Sequence, residues 1–291
     1  MNAPVRRPAV AGQFYPSNPN KLRQEIETFV QPGREKLSAL GCVVPHAGYM
    51  YSGHVAGAVY SRLALPRRFI ILCPNHTGAG QPLAIMSRGR WMTPLGEVAI
   101  DEPLAEELKR EFSSLREDDV AHSREHALEV QLPFLQQIVH EFTFVPIVIG
   151  TGRLEVLTEL GSSLARVLKQ LAPSTPTHAT AAHVGEPSAD GTKHDVLVIA
   201  SSDMNHYEGD ERTRVKDRMA IDQVLALDPV GLWETVQREQ ITMCGYGPAV
   251  AMLTAARELG ATKAELVKYA TSGDVSGDRD WVVGYAGMIV S

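Results

Sequence analysis

The chain has 291 residues, of which 44% are hydrophobic and 21% are charged. This composition is typical of ordinary globular proteins and excludes an extended disordered chain. The formal net charge of −6 provides no broad cationic surface, so nucleic acid is not an expected partner.

Cysteine usage and the N-terminal segment indicate a cytoplasmic protein. The three cysteines, Cys42, Cys73 and Cys244, form no CxxC pair, and such a sparse, odd set suits a reducing compartment. The first residues lack the apolar stretch of a signal peptide, and no run of about 18 uncharged apolar residues is present to span a bilayer. We therefore expect no membrane association.

Helical and strand patterns alternate along the chain. A first helix is expected to begin at Ser17 or Asn18, because apolar residues follow at four-residue steps. Short apolar runs bounded by Gly, Pro or Asn are typical of strands buried on both faces, and they occupy 41–45, 69–74, 144–150 and 195–203. Amphipathic helices are predicted near 53–63, 101–112, 125–139, 153–171, 211–226 and 247–260. This alternation predicts an α/β fold with a mostly parallel or mixed central sheet covered by helices.

Two further segments complete the predicted organisation of one domain over 1–291. Residues 91–101 form a strand, a Pro-Leu-Gly turn and a second strand, which predicts a hairpin at a sheet edge. Residues 172–194 are rich in Pro, Ser, Thr, Gly and Ala without periodicity, which predicts a flexible surface excursion. His178 and His183 lie in this excursion and are not expected to bind metal.

Histidines follow three of the predicted strands. His46, His76 and His206 each lie within a few residues of a strand end, and Asp203 accompanies the last of them. Ligands of open α/β sheets bind beyond the carboxyl ends of the strands. Glycines beside the first two histidines permit tight loops and close approach of a ligand. We therefore expect the imidazoles to converge on one site.

Cys244 is a further candidate for this site. It precedes a predicted helix opened by Gly247 and Pro248, and a helix N-terminus is expected to lower the pKa of a nearby thiol. Cys42 and Cys73 lie within apolar strands and are expected to be inert. Imidazole, carboxylate and thiolate together suit iron, copper or zinc better than magnesium or calcium. The spacing does not determine which of Asp203, His206 and Cys244 reaches the ion.

His122 and His126 are four residues apart, but they do not form an HExxH motif. His126 is predicted to open the helix at 125–139, where Pro133 should disturb the helical pattern. Its role remains open between packing and function, and if functional it should transfer protons rather than bind the metal. Phosphate-loop, nucleophile-elbow and dinucleotide-binding motifs are absent from the sequence.

Several motifs, in their order along the chain, resemble those of the Memo family. This family is the Memo-like component of the AMMECR1, Memo and radical-SAM group of prokaryotic proteins. These motifs are RRPAVAGQFYP, VPHAGYMYSG, CPNHTG, WMTPLGEV, HSREHALEVQLPFL, SSDMNHY, CGYGP and VVGYAGM. The resemblance implies a fold related to class III extradiol dioxygenases, with His46, His76 and Cys244 at metal-associated positions. It also implies that Asp203 and His206 form the neighbouring polar pair. Iron or copper is the implied metal, and a radical-SAM or AMMECR1-like protein is an implied partner.

Three functions remain open at this point. The first is a metal-dependent oxidoreductase or dioxygenase-like enzyme, in which His46, His76 and either Asp203 or Cys244 hold iron or copper while His206 or His126 moves protons. The second is a non-catalytic module that binds a small molecule, peptide or partner at the same pocket. The third is a zinc-dependent hydrolase.

Overall fold

The computed structural model describes residues 4–31, 33, 35–171 and 194–291. The predicted excursion at 172–194 therefore lies outside the described residues except for His194, and so do His178 and His183. In the described part of the chain, the strands are β1 Val5–Arg6, β2 Gly41–Val44, β3 Arg68–Pro74, β4 Leu83–Ile85, β5 Arg90–Thr93, β6 Gly96–Ile100, β7 Arg116–Glu117, β8 Thr143–Ile149, β9 Val196–Ser201, β10 His206–Glu208, β11 Ala264–Thr271 and β12 Val282–Val290.

The helices of the same ranges are α1 Pro19–Phe29, α2 Tyr49–Arg62, α3 Glu102–Glu111, α4 Val120–Ser123, α5 Leu132–Val139, α6 Leu154–Leu171, α7 Asp210–Leu225, α8 Pro229–Arg238, α9 Tyr246–Glu258 and α10 Gly273–Ser276. A short 3₁₀ helix, Glu129–Gln131, precedes α5. No helix in the described residues is both long and apolar enough to cross a bilayer.

The strands form one mixed sheet whose main order is β1-β5-β6-β8-β3-β9-β2-β12-β10. Its centre, β8-β3-β9-β2, is parallel, and Ile70 of β3 lies opposite Val145 on one side and Val198 on the other. The flanks are mixed, since β6 pairs antiparallel with β5, and β12 pairs antiparallel with β2. The α/β class with a mixed central sheet is therefore confirmed.

Helices cover the central strands, whose side chains are buried on both faces. The strands are largely apolar. This composition suits parallel strands that are covered by helices on both faces and so have no contact with water. The contact between α6 and α9 is close: a Cβ atom at Gly161 would lie 2.5 Å from the Ala251 carbonyl oxygen. Only glycine fits at this point of the packing.

Local sequence signals correctly predicted the start of α1 and the presence of the hairpin, but not the position of the hairpin in the sheet. The Asn18 side chain accepts hydrogen bonds from the backbone nitrogens of Asn20 and Lys21 at 3.0 and 3.1 Å, which caps α1 as predicted. The predicted hairpin at 91–101 forms from β5 and β6, but β1 pairs with β5, so the hairpin is not the edge of the sheet.

Other boundaries differ from the prediction. The helix expected over 125–139 begins only at Leu132, because Pro133 occupies the first turn, where its missing N–H costs nothing. Pro133 therefore starts the helix rather than disturbing it. Helix α8 and strand β11 were not among the predicted elements.

A buried network attaches the N-terminal segment to the body of the protein. The Glu129 carboxylate, which is fully buried, accepts hydrogen bonds from Arg6, from the Tyr15 hydroxyl and from the backbone nitrogens of Ala9 and Val10. The Arg6 guanidinium also lies 4.3 Å from the centre of the Trp91 ring. These contacts fix the path of residues 6–15.

Asp217 provides a test of the fold that is independent of the candidate site. Burial raises the pKa of this carboxyl from 3.8 to about 7, against hydrogen bonds from the Tyr269 hydroxyl and the Asn205 backbone nitrogen. Between these two pH values the folded protein keeps a proton that the unfolded chain has lost. The contribution of Asp217 to the free energy of unfolding should therefore fall as pH rises from about 4 to about 7.

Asp217→Asn should remove this contribution, so its free energy of unfolding should rise relative to that of wild type by on the order of 2 to 4 kcal/mol over the interval, measured by urea denaturation at several pH values. The control is Asp222→Asn, on the same helix, where the carboxylate forms an exposed ion pair with Arg218. An identical pH slope in Asp217→Asn and wild type would contradict the burial argument.

Candidate metal centre

Three imidazoles converge at the carboxyl edge of the sheet. His46 follows β2, His76 follows β3, and His126 lies in the loop between α4 and the 3₁₀ helix. One ligand atom from each lies within 4.8 Å of the others, so this group could hold a metal ion. The ring centres of His46 and His76 are 5.1 Å apart, and those of His76 and His126 are 4.7 Å apart.

Hydrogen bonds fix the tautomer of His46. Its Nδ1 lies 3.0 Å from the Ser201 hydroxyl, which donates its own proton to the Ala127 carbonyl at 2.6 Å and accepts from Gln131 at 2.8 Å. Because the hydroxyl proton is already used, Ser201 can only accept from His46, which places the ring proton on Nδ1. The lone pair of Nε2 is therefore available to a metal.

A buried carboxylate orients His76 in the same way. The Glu125 Oε1 atom lies 2.9 Å from His76 Nδ1, and Oε2 accepts from the His76 backbone nitrogen at 2.6 Å. Burial raises the pKa of Glu125, but hydrogen bonds from His76 and the Ala127 backbone outweigh it and hold the pKa below its usual value. The ionised carboxylate accepts the Nδ1 proton and leaves Nε2 of His76 available, as in carboxylate–histidine–metal arrangements.

Glu125 is a functional candidate that the sequence analysis missed. It stands directly before His126, and this adjacency was the only signal that the sequence offered. Its hydrogen-bond partner His76 is 49 residues away, so residue spacing could not reveal the pair.

His126 packs between two rings. It stacks on His76 with an interplanar angle of 27°, and its centre lies 4.7 Å from that of Phe14. Burial lowers the pKa of His126, against the charge of Glu125, which favours a neutral imidazole that can serve as a ligand. The structure thus places His126 within the group that could hold a metal, whereas the sequence suggested a proton-transfer role.

Cys244 lies beside His46, just before α9. Its Sγ is 3.2 Å from His46 Nε2 and accepts a hydrogen bond from the Asp203 backbone nitrogen at 3.3 Å. The expected lowering of its pKa is wrong: burial raises the pKa of this thiol, and the charge of Asp203 adds to the effect. Removal of the thiolate from water outweighs the dipole of one helix terminus.

Cys244 should nevertheless be the first of the three thiols to react with iodoacetamide in metal-free protein. It is partly exposed, whereas Cys42 and Cys73 are completely buried, so access rather than acidity sets the order. Because its pKa is raised, the reaction should accelerate with increasing pH. Bound metal should slow the reaction of Cys244 with iodoacetamide. Peptide mapping that found Cys42 alkylated before Cys244, or no effect of metal, would contradict this placement.

Asp203 and His206 lie next to the three imidazoles. Asp203 accepts from the His46 backbone nitrogen at 2.7 Å, and its Oδ2 is 4.0 Å from His46 Nε2. Burial raises the pKa of Asp203 to about 7 despite that hydrogen bond. The Nδ1 of His206 lies 2.9 Å from the Thr242 carbonyl oxygen, which can only accept, so its Nε2 is also unprotonated in the neutral ring.

These groups line one cavity of about 690 Å³, which includes His46, His76, His126, Asp203 and His206. The side chain of His76 is 31% exposed, so small molecules can reach the group from solvent. His122, four residues before His126, is instead fully buried, with its Nδ1 2.8 Å from the Asp118 carbonyl oxygen.

Comparisons with known proteins agree on one family. The model of the Memo-like protein family matches residues 6–289. The chain is 44% identical to a MEMO1 family protein of Pyrobaculum aerophilum, over 98% of both chains. It is 42% identical to one of Methanopyrus kandleri, again over 98% of both chains. It is also 41% identical to one of Methanothermobacter thermautotrophicus, over 97% of this chain and 99% of the relative.

Proposed function

The chain belongs to the Memo-like protein family, and from this membership and the geometry of the site we propose that it is a metal-dependent oxidoreductase that uses iron or copper. The observation that carries the proposal is the group His46, His76 and His126. In two of these histidines, Nδ1 carries the ring proton and donates it to a hydrogen bond, so the lone pair of Nε2 is available to an ion.

The chemistry of the donor set fits such an ion. Three neutral imidazoles suit iron, copper or zinc. The 3.2 Å between Cys244 Sγ and His46 Nε2 is close to the roughly 3.5 Å separation of nitrogen and sulfur ligands on one ion. We therefore propose His46, His76 and His126 as ligands. Cys244 is not part of their group, and we propose it as a fourth donor that moves toward a bound ion. A bound iron or copper ion would supply electron transfer at this group of histidines.

The remaining polar groups of the cavity handle protons in this proposal. Asp203 Oδ2 is positioned to hold a proton beside His46, since the Oδ1 atom is occupied by the His46 backbone nitrogen. His206 presents Nε2 to the same cavity and is the second proposed proton carrier. Hydrogen bonds to backbone groups hold both side chains in place.

The proposal is tested by the metal content of protein purified anaerobically without a histidine tag. We expect about one equivalent of iron or copper per chain. Zinc alone would replace the proposal with a zinc-dependent hydrolase, and a site that stays empty when metal is offered would favour a non-catalytic binding module.

Glu125→Gln tests the orientation of His76. The amide is a weaker acceptor than the carboxylate, so metal affinity should fall by roughly 10- to 100-fold in a chelator competition. Glu107→Gln, at an exposed i,i+3 ion pair of α3, is the matched control and should retain wild-type affinity. Unchanged affinity in Glu125→Gln, in a variant with wild-type circular dichroism, would remove Glu125 from the site.

A further inference from the structure

The cavity contains a carboxylate that the proposed metal site does not use. Glu25, on α1, lines the cavity and is only partly exposed. Its carboxylate forms no hydrogen bond or ion pair with the described residues, in contrast to Glu125, whose two oxygens accept three hydrogen bonds. Burial raises the pKa of Glu25. Among the described residues, the Glu25 carboxylate therefore has no cationic partner in the cavity.

Aromatic rings form much of the remaining wall. Phe14, Tyr51, Tyr207 and Tyr285 line the cavity, and no lysine or arginine is among its described lining residues. Tyr207 is 67% exposed and has a φ of 60°, a backbone conformation that tyrosine rarely adopts. Strained residues of this kind cluster at ligand sites. The faces of aromatic rings attract cations, and tyrosine is among the better rings for this interaction.

We propose that the ligand of this cavity carries an amine or guanidinium group, which pairs with Glu25 and lies against the tyrosine rings. The inference rests on the proposed function, because it names the substrate class of the same cavity. The other end of the ligand then faces the histidines, where the reaction takes place.

The two alternatives for this part of the ligand fit the wall less well. A negatively charged group would meet the Glu25 carboxylate without a lysine or arginine to balance it. A purely apolar group would remove water from Glu25 and offer no partner in return, which costs free energy. A cation provides the carboxylate with a partner, and the aromatic rings of the same cavity attract it.

The experiment compares three probes of similar size on metal-free, full-length protein by calorimetric titration: 2-phenylethylamine, 2-phenylethanol and phenylacetate. We expect the amine to bind at least about tenfold more tightly than the other two. Glu25→Gln should remove this preference. Glu27→Gln, an exposed position on the same helix, is the matched control and should keep it.

Three results would overturn the inference: phenylacetate binding as tightly as the amine, the preference surviving in Glu25→Gln, or no binding of the amine at millimolar concentration. Metal content is measured in parallel on wild type and Glu25→Gln. Retained metal with a lost amine preference supports both proposals. An amine preference in a wild-type protein that takes up no iron or copper supports this inference and refutes the proposed redox function.

Discussion

His46→Ala and His76→Ala should each lower the affinity for metal by at least about a hundredfold. Each change removes one nitrogen from a group of three, and the remaining donors cannot enclose the ion. The loss is measured by competition with a chelator of known affinity in tag-free protein. His126→Ala should show a loss of the same order.

His54→Ala is the matched control for these variants, because His54 lies on α2 and is not among the residues lining the cavity. It should retain wild-type affinity. Equal metal binding in His46→Ala, His76→Ala and His54→Ala would refute the proposed ligand set. A thermal melt of each variant separates loss of ligation from loss of folding.

Glu129→Ala should reduce the free energy of unfolding by about 3 to 5 kcal/mol, the largest effect on stability that we expect. The substitution leaves Arg6 buried without its partner and removes the acceptor of the Tyr15 hydroxyl and of two backbone nitrogens. Urea denaturation measures the change. The N-terminal segment, which contributes Phe14 to the cavity, should also become accessible to proteases.

The control for Glu129→Ala is Glu97→Ala. Glu97 pairs with Arg90 at an exposed position, where both side chains remain in contact with water. Such a pair contributes about 0 to 1 kcal/mol. A loss below about 1 kcal/mol in Glu129→Ala would show that the buried network does not anchor the segment.

The approximate position of the site could be predicted from the sequence, because it depends on local signals. Apolar runs in the sequence predicted strands β2, β3 and β9. Because ligands bind at the carboxyl edge of such a sheet, His46, His76 and Asp203 were expected to lie close together. The cap at Asn18 was predictable for the same reason, since its partners are two and three residues away.

The chemistry of the site depends on contacts that are distant in sequence. Ser201, which sets the tautomer of His46, is 155 residues from it, and no periodicity connects the two. The pKa of Cys244 was predicted in the wrong direction, because burial depends on how loops pack around the thiol. His126 belongs to the group because it lies in a loop, where the sequence predicted the start of a helix.

We propose that one ring nitrogen from each of His46, His76 and His126 binds the same metal ion. X-ray absorption spectroscopy at the metal edge, on tag-free protein loaded with one equivalent of iron or copper, measures the donors directly. We expect a shell of imidazole nitrogens at about 2.0–2.1 Å that loses one nitrogen in His126→Ala, with sulfur scattering that disappears in Cys244→Ser. A spectrum with only oxygen donors, or one that is identical in wild type, His46→Ala and His76→Ala, would contradict it.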